Sequence, residues 1–216
     1  MCFAQKDVTK FMGIPVDGTK KTVVQKIKQK GFSYNEKLDC LEGEFNGRQV
    51  KIFVITYNNK VGRIVVMDEK GTDKITIKNR YNRICKDMER SGLYMRKDDG
   101  DGSIYTIKDN EDISWEMYTH NKDYSAVYYQ LYKPNDIDVD SNDINMAIKM
   151  MTQNYSREEL EKMSEKQRMD KTMDYVSSIW AEKVAKREVH VRINNNREEY
   201  RIQIFYDNLW NMNSTY

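Results

Sequence analysis

Three asparagine-rich segments, each lying between runs of alternating apolar and polar residues, constrain the fold of this chain more than any other feature. They occupy residues 55–61, 118–124 and 193–197. Asparagine tolerates the left-handed backbone conformation that tight hairpin turns require. Each segment therefore predicts a reversal between two neighbouring strands, so we expect a mainly antiparallel sheet to which helices are added.

The order of the predicted elements repeats once along the chain. In the first unit a helix begins at Thr19, runs to about Lys30 and precedes a three-stranded meander, with Asn46-Gly47 as its strongest turn signal. Its strands are predicted at 38–45, 49–57 and 60–67. In the second unit a helix over 74–91 carries apolar residues at helical spacing and again precedes strands. These are predicted at 104–107, 113–119, 124–132, 188–193 and 198–206.

A helical segment interrupts the second unit. A short helix from Ser141 is expected to hold Ile144, Ile148 and Met151 on one side, and a long helix from Ser156, with Glu159 completing a capping box, should run to about Lys186. The predicted fold is α+β, with two helix-plus-antiparallel-meander modules, helices on one sheet face and a helical insertion in the second module. The predicted boundaries are 1–10 for an N-terminal segment, 11–70 for the first module, 71–134 with 188–216 for the second, and 135–187 for the insertion.

Composition excludes several classes of protein. Lys and Arg total 36 against 34 Asp and Glu, and the two signs are interspersed, so no basic stripe for nucleic acid is present. Hydrophobic residues make up 39% and charged residues 32%, which is too polar for a membrane-spanning protein and too aromatic for a disordered one. We therefore expect a globular protein with no membrane span and no nucleic-acid partner, and the oligomeric state stays open.

The first residues and the cysteines bear on the cellular compartment. Residues 1–5, with Cys2 and Ala4, look like the end of a secretory signal, which predicts a periplasmic or secreted protein. The alternative is a cytoplasmic protein that starts at Met1. Cys40 and Cys85 are expected to be buried free thiols, and a bond between them is the alternative in an oxidising compartment.

Several segments resemble a family. They resemble a group of uncharacterised exported proteins of Bacteroides-type gut bacteria. The segments are residues 11–20, Lys30-Gly31-Phe32, residues 41–47, residues 59–61 and the terminal segment 204–208. The resemblance spans most of the chain outside 135–187 and implies export without a chemistry. The repeated helix and meander are also similar in arrangement to the tandem modules of β-lactamase-inhibitor-like proteins and small outer-membrane-assembly lipoproteins. That second similarity implies a concave, protein-binding sheet and no catalytic residues.

Motifs for catalysis, metals and cofactors are missing from the sequence. Asp136, Asp138 and Asp140 have the spacing that opens a calcium loop, but Ser141 and Ala147 stand where that loop needs glycine and a bidentate acid. The two histidines, His120 on a predicted hairpin tip and His190 on a strand, are expected at the surface. Acidic residues such as Glu42, Glu44, Glu111, Asp112 and Glu116 form no recognisable pair. We therefore predict no catalytic residue, no cofactor and no metal.

Tyrosines provide the remaining candidate site. Alternation along the strand 124–132 places Tyr124, Tyr128 and Tyr132 on one face, where aromatic rings with a hydroxyl suit a surface that is buried on binding. The alternative is that this face is core, since tyrosine favours strands in any case. The sequence thus predicts a non-enzymatic exported protein with a protein-interaction surface. The alternative function is a small-ligand or glycan-binding protein that uses the tyrosine face, and a third, an enzyme with an acidic pair, lacks a motif.

Overall fold

An eight-stranded antiparallel sheet organises the protein. The computed structural model describes residues 8–97, 100, 102–132, 139–196 and 199–213. The strands in these ranges are β1 (Lys10–Phe11), β2 (Ile14–Pro15), β3 (Ser33–Asn35), β4 (Cys40–Phe45), β5 (Arg48–Tyr57), β6 (Lys60–Asp68), β7 (Tyr94–Arg96), β8 (Ser125–Gln130), β9 (Arg187–Asn196) and β10 (Glu199–Asn208). The sheet order is β3-β4-β5-β6-β10-β9-β8-β7, and β1 pairs with β2 separately.

The helices complete an α+β fold. They are α1 (Lys20–Lys28), α2 (Lys74–Ser91), α3 (Ile113–Thr119), α4 (Ser141–Asn154), α5 (Arg157–Lys162), α6 (Glu165–Ala185) and α7 (Leu209–Met212). The predicted helices over 19–30 and 74–91 are confirmed as α1 and α2. Thr19 caps α1, and Asp73 caps α2 by accepting from the backbone amides of Ile75 and Thr76.

Hairpin turns in the first unit lie where the sequence predicts them. Asn46 and Gly47 have φ of 49° and 71°, and Asn58 and Asn59 have φ of 47° and 63°. Two successive positive φ values are the signature of the type I′ turn, whose twist matches that of the flanking strands. The turns join β4 to β5 and β5 to β6 in antiparallel register, so the predicted meander is confirmed.

Parts of the second unit differ from the prediction. Residues 113–119 form the helix α3, because Asp112 accepts from the amides of Ser114 and Trp115 and so starts a helical turn. The asparagine-rich segment at 118–124 therefore begins in the last turn of α3 and does not reverse two strands, and residues 104–107 form no strand. At the third asparagine-rich segment, residues 193–197, strands β9 and β10 pair antiparallel as predicted. Asn194 to Asn196, however, belong to β9 and not to the turn. The connecting residues 197–198 lie outside the described ranges.

Strand β10 joins the two halves of the sheet. Its Ile204 lies opposite Val66 of β6 on one side and opposite Val191 of β9 on the other. Both α1 and α2 cover the same sheet face, because Ile27 and Tyr81, both fully buried, belong to one hydrophobic cluster with those strand residues. Residues of both predicted modules thus share one sheet and one core.

The inserted helices α4 and α6 pack against each other, and α6 also contacts strands β8 and β9 of the sheet. The predicted long helix is two helices, since Ser164 and Gln167 form a second capping box that starts α6. Helices α4 and α6 pack together around a small cluster of Ala147, Val176 and Ile179. The prediction that Ile144, Ile148 and Met151 form the inner side of α4 is wrong in part. Met151 is buried, but Ile144 and Ile148 are 45% and 43% exposed. Asp143 and Ala147 face α6 instead, because Lys183 of α6 pairs with the Asp143 carboxylate.

Candidate functional site

Two of the three predicted site tyrosines lie in the core. Tyr124 and Tyr128 have no exposed side-chain surface, and the Tyr128 hydroxyl donates to the Cys85 carbonyl oxygen of α2 at 3.4 Å. Burial raises the pKa of both hydroxyls above the usual range. Alternation along β8 did place them on one face, but α2 covers that face. The prediction that they form a binding surface is therefore wrong.

Tyr132 has a different position. Two cations lie over its half-buried ring, with the Lys10 Nζ 4.0 Å and the Arg187 Cζ 4.1 Å from the ring centroid. Its hydroxyl donates to the Val8 carbonyl oxygen at 3.1 Å. Tyr132 therefore helps to hold the N-terminal segment against the sheet, and the structure does not bring the three tyrosines together in a binding surface.

The sheet face opposite α1 and α2 carries an apolar row that sequence analysis missed. Phe53 pairs with Val65, Val65 with Phe205, Phe205 with His190, and His190 with Val127. Directly opposed side chains in an antiparallel sheet share a face and contact each other. The row therefore crosses five strands, from β5 to β8, on the side away from the main core.

This row continues into an open depression. Next to Phe53 and Val65, the side chain of Ile55 is 37% exposed and that of Leu38 is 50% exposed. Together with Met67 they line a shallow hollow of about 500 Å³ over β5, β6 and β10. We refer to the surface formed by these five residues as the open face.

A charged pair borders the apolar row. Arg63 donates from Nε and Nη2 to both carboxylate oxygens of Asp207, at 2.6 and 2.7 Å. This hydrogen bonding raises the pKa of Arg63. The guanidinium carbon also lies 5.0 Å from the centroid of the Phe205 ring, which is within cation–π distance. Arg63 is therefore fixed in place and fixes the Phe205 ring beside it.

The histidines are placed differently from each other. His190 points away from the side of Val189 and Val191, but it does not lie fully at the surface as expected, because its half-buried ring packs on Phe205 with centroids 5.6 Å apart. This burial lowers the pKa of His190, so the ring is neutral at pH 7. His120 is exposed, as predicted, but it ends α3 and sits 3.1 Å from the Glu116 carboxylate. The two rings lie in different parts of the fold and do not form a site.

The acidic residues and cysteines have structural contacts. Glu111 accepts from Lys122 and from the Tyr124 hydroxyl, and Asp140 caps α4. Asp136 and Asp138 lie outside the described ranges. Within those ranges no group of three or more His, Cys, Asp or Glu side chains is arranged to hold a metal ion. Cys40 and Cys85 are buried free thiols, and burial raises the pKa of Cys85 to about 11.

A signal for the open face is present in the sequence of β5. Strands with one buried face alternate apolar and polar residues, whereas Ile52, Phe53, Val54 and Ile55 are apolar without interruption. Ile52 and Val54 face the main core, which leaves Phe53 and Ile55 on the opposite side. An unbroken apolar run on a strand of an antiparallel sheet thus marks a second apolar face.

Across the described ranges, no helix has both the length and the apolar character that crossing a bilayer requires. Comparison with protein-family models, with curated proteins and with solved structures found no match to this chain.

Proposed function

We propose that the protein is a non-enzymatic binding protein and that a protein partner docks on the open face. The observation that carries this proposal is the exposure of Ile55 and Leu38 beside Phe53 and Val65, in a hollow that is wide and shallow. A shallow apolar surface bordered by charged groups, such as Arg63 with Asp207, is typical of protein interfaces. Small-molecule sites are usually deeper and more enclosed.

Docking on the sheet face is favoured over pairing at a sheet edge. The edge strands β3 and β7 are only three residues long, so each offers few backbone groups to an added strand. The long strands β5, β6 and β10 lie inside the sheet, and their backbone groups are paired with neighbours. A partner would therefore contact side chains, and the apolar ones at the hollow would contribute most of the affinity.

The compartment is part of the same proposal. The resemblance of residues 11–20 and 204–208 to exported proteins of Bacteroides-type bacteria supports a periplasmic or secreted location. The arrangement of helices and meanders that resembles β-lactamase-inhibitor-like modules supports a sheet face as the binding surface. The tyrosine face is a poor candidate for glycan or small-ligand binding, because Tyr124 and Tyr128 are fully buried.

Replacement of Ile55 tests this proposal. The wild-type protein and an Ile55→Arg variant are immobilised and exposed to fractions of the source cells, and retained proteins are identified by mass spectrometry. The affinity of a purified retained protein is then measured for both. We expect Ile55→Arg to weaken binding by about tenfold or more, because a charge at the centre of an apolar contact must be desolvated.

Ile75 provides a matched control. It is an isoleucine of α2, 66% exposed, and α2 lies on the other side of the sheet. Ile75→Arg should bind the partner as the wild type does, and circular dichroism should show that both variants are folded. Equal retention by the Ile55→Arg variant and the wild type, or no retained protein with the wild type, would contradict the proposal.

A further inference from the structure

A large cavity lies on the helix-covered side of the sheet, away from the open face. It is a cleft of about 800 Å³ between α2 and the turn that joins β4 to β5. Ile204 and Tyr206 of the central strand β10 line it, and both belong to the main core cluster. A volume of this size is sufficient for a small organic ligand.

Three arginines line the cleft. Arg80 and Arg83 come from α2, and Arg48 follows the turn between β4 and β5. Arg48 and Arg83 are exposed, whereas Arg80 is only 6% exposed. Asp87, an exposed residue of α2, is the only acidic residue in the lining among the described residues. We refer to this cavity as the arginine cleft, and its lining carries an excess of positive charge.

The buried guanidinium of Arg80 retains a hydrogen-bond donor. Its Nη2 donates to an oxygen of Asp68 at 2.6 Å, but its Nε is buried and has no partner among the described residues. A buried donor without a partner is energetically unfavourable. Arg80 is therefore a polar residue of the cleft lining that is more than nine-tenths buried and whose Nε has no partner among the described residues.

Asp68 pairs with Arg80 and does not compensate the charges of Arg48 and Arg83. One of its carboxylate oxygens accepts from Arg80, and the other accepts from the backbone amide of Ile202 at 3.1 Å. Desolvation raises the pKa of Asp68 and lowers the pKa of Arg80, and the nearby guanidinium groups of Arg48 and Arg83 lower the pKa of Arg80 further. The arginines thus repel one another, and an anion between them would relieve that repulsion.

The remaining walls are apolar or aromatic. Phe45 and Met88 face the cleft from β4 and α2, and Tyr94 adds an aromatic ring from β7. Arginine guanidinium groups bind carboxylate and phosphate oxygens in preference to other anions, because their donors match the spacing of those oxygens. The cleft therefore combines a cationic end with surfaces for an apolar body.

We propose that the arginine cleft binds a small organic anion, with a carboxylate or phosphate group between Arg48, Arg80 and Arg83 and an apolar or aromatic body against Tyr94 and Met88. This site is independent of the open face, since the two lie on opposite sides of the sheet.

Phenyl phosphate is a suitable probe, because it joins an anionic group to an aromatic ring. Isothermal titration calorimetry with the full chain should show saturable binding to one site. Arg48→Gln and Arg83→Gln should each weaken binding by about tenfold, which is the loss expected for one charge-assisted hydrogen bond. Arg80 is left unchanged in this test, because its removal would leave Asp68 buried without a counter-charge.

Controls distinguish a specific site from general charge attraction. Arg90→Gln removes an exposed arginine of the same helix that does not line the cleft, and its affinity should change less than about twofold. Ile55→Arg should leave the affinity unchanged. Inorganic phosphate and phenol, which each supply half of the probe, should bind much more weakly. The proposal is overturned by absence of saturable binding, by equal affinity in Arg48→Gln, Arg83→Gln and the wild type, or by either half-probe binding as tightly as phenyl phosphate.

Discussion

At the scale of single residues, the buried pair of Asp68 and Arg80 makes a strong energetic prediction. Both side chains are nearly inaccessible, and removal of one partner leaves a buried charge without compensation. We expect Asp68→Asn to lower the free energy of unfolding by about 3 kcal/mol, because breaking a buried pair costs about 3–5 kcal/mol and asparagine keeps part of the hydrogen bonding. Urea unfolding followed by circular dichroism measures this change.

An exposed pair provides the comparison. Arg157 and Glu161 of α5 lie 2.9 Å apart, but their side chains are 92% and 65% exposed. Glu161→Gln should change the free energy of unfolding by less than about 0.5 kcal/mol, because water screens an exposed pair. If both substitutions had the same small effect, the Asp68 pair would not be desolvated as the structure shows.

The burial of some residues can be predicted from the sequence, whereas the contacts of others cannot. The apolar spacing of α2 correctly predicts that Ile77, Tyr81 and Cys85 are buried, and Arg80 lies within the same stripe. Its partner Asp68 ends a strand, and only the packing of α2 on the sheet brings the two together. Likewise, alternation along β8 shows which residues share a face but not which face a helix covers. For that reason Tyr128 could be read as surface or as core.

At the scale of elements, the N-terminal cap of α2 makes a prediction about pH. Hydrogen bonds from the Thr76 hydroxyl and from backbone amides lower the pKa of Asp73 from its ordinary value of 3.8 to about 2. A lowered pKa in the folded state stabilises the protein above about pH 4, and this contribution is lost as the pH falls toward 2. Asp73→Ala should therefore lower the melting temperature by about 3 °C at pH 6 and by progressively less below pH 4.

Asp170 provides the matched control for the cap. It is exposed in the second turn of α6, beyond the free amides of the first turn, so Asp170→Ala should leave the melting temperature nearly unchanged at pH 6. Melting curves recorded by circular dichroism between pH 6 and pH 2 measure both variants. A difference between wild type and Asp73→Ala that stayed constant over this range would show that the charge of Asp73 does not stabilise α2.

Elements differ in how completely the sequence specifies them. Helix α2 has a cap, an apolar stripe from Ile77 to Met88 and Gly92 in the left-handed conformation at its end, and its predicted bounds are correct. Helix α3 has only seven residues, among them Ile113, Trp115 and Tyr118, which also favour strands. So short a segment shows no clear period, and Asp112 is the single local sign of a helix. The break before α6 was predictable, since Ser164 and Gln167 repeat the capping-box pattern of Ser156 and Glu159.

At the scale of the whole molecule, we expect stability to be unevenly distributed. The sheet, α1 and α2 share one large buried cluster, whereas the buried cluster between α4 and α6 has three residues among those described. Local opening requires less free energy where fewer apolar contacts are broken. Native-state hydrogen exchange should therefore show faster exchange for the amides of α4 and α6 than for those of β5, β6 and β10. Equal protection of both regions would contradict this expectation.

The overall architecture is the level that local patterns predict least. The α+β class and the first meander follow from turn chemistry and from alternation, as at Asn46-Gly47. The pairing of β6 with β10 joins residues such as Val66 and Ile204, which are far apart in the chain. No turn signal in the sequence predicts that β6 pairs with β10. The pairing forms when the two halves of the sheet meet, because the facing edges of both strands are then unpaired. The open face and the arginine cleft both depend on that pairing.

The central position of β10 also has a consequence for synthesis on the ribosome. The edge of β6 that β10 covers is made long before residues 199–208, and at normal translation rates the delay is on the order of ten seconds. Throughout that interval a nine-residue strand with apolar side chains has unpaired backbone groups along one side. The nascent chain is thus exposed to wrong association with other chains until β10 has been synthesised, and a chaperone that shields this edge would raise the yield of native protein.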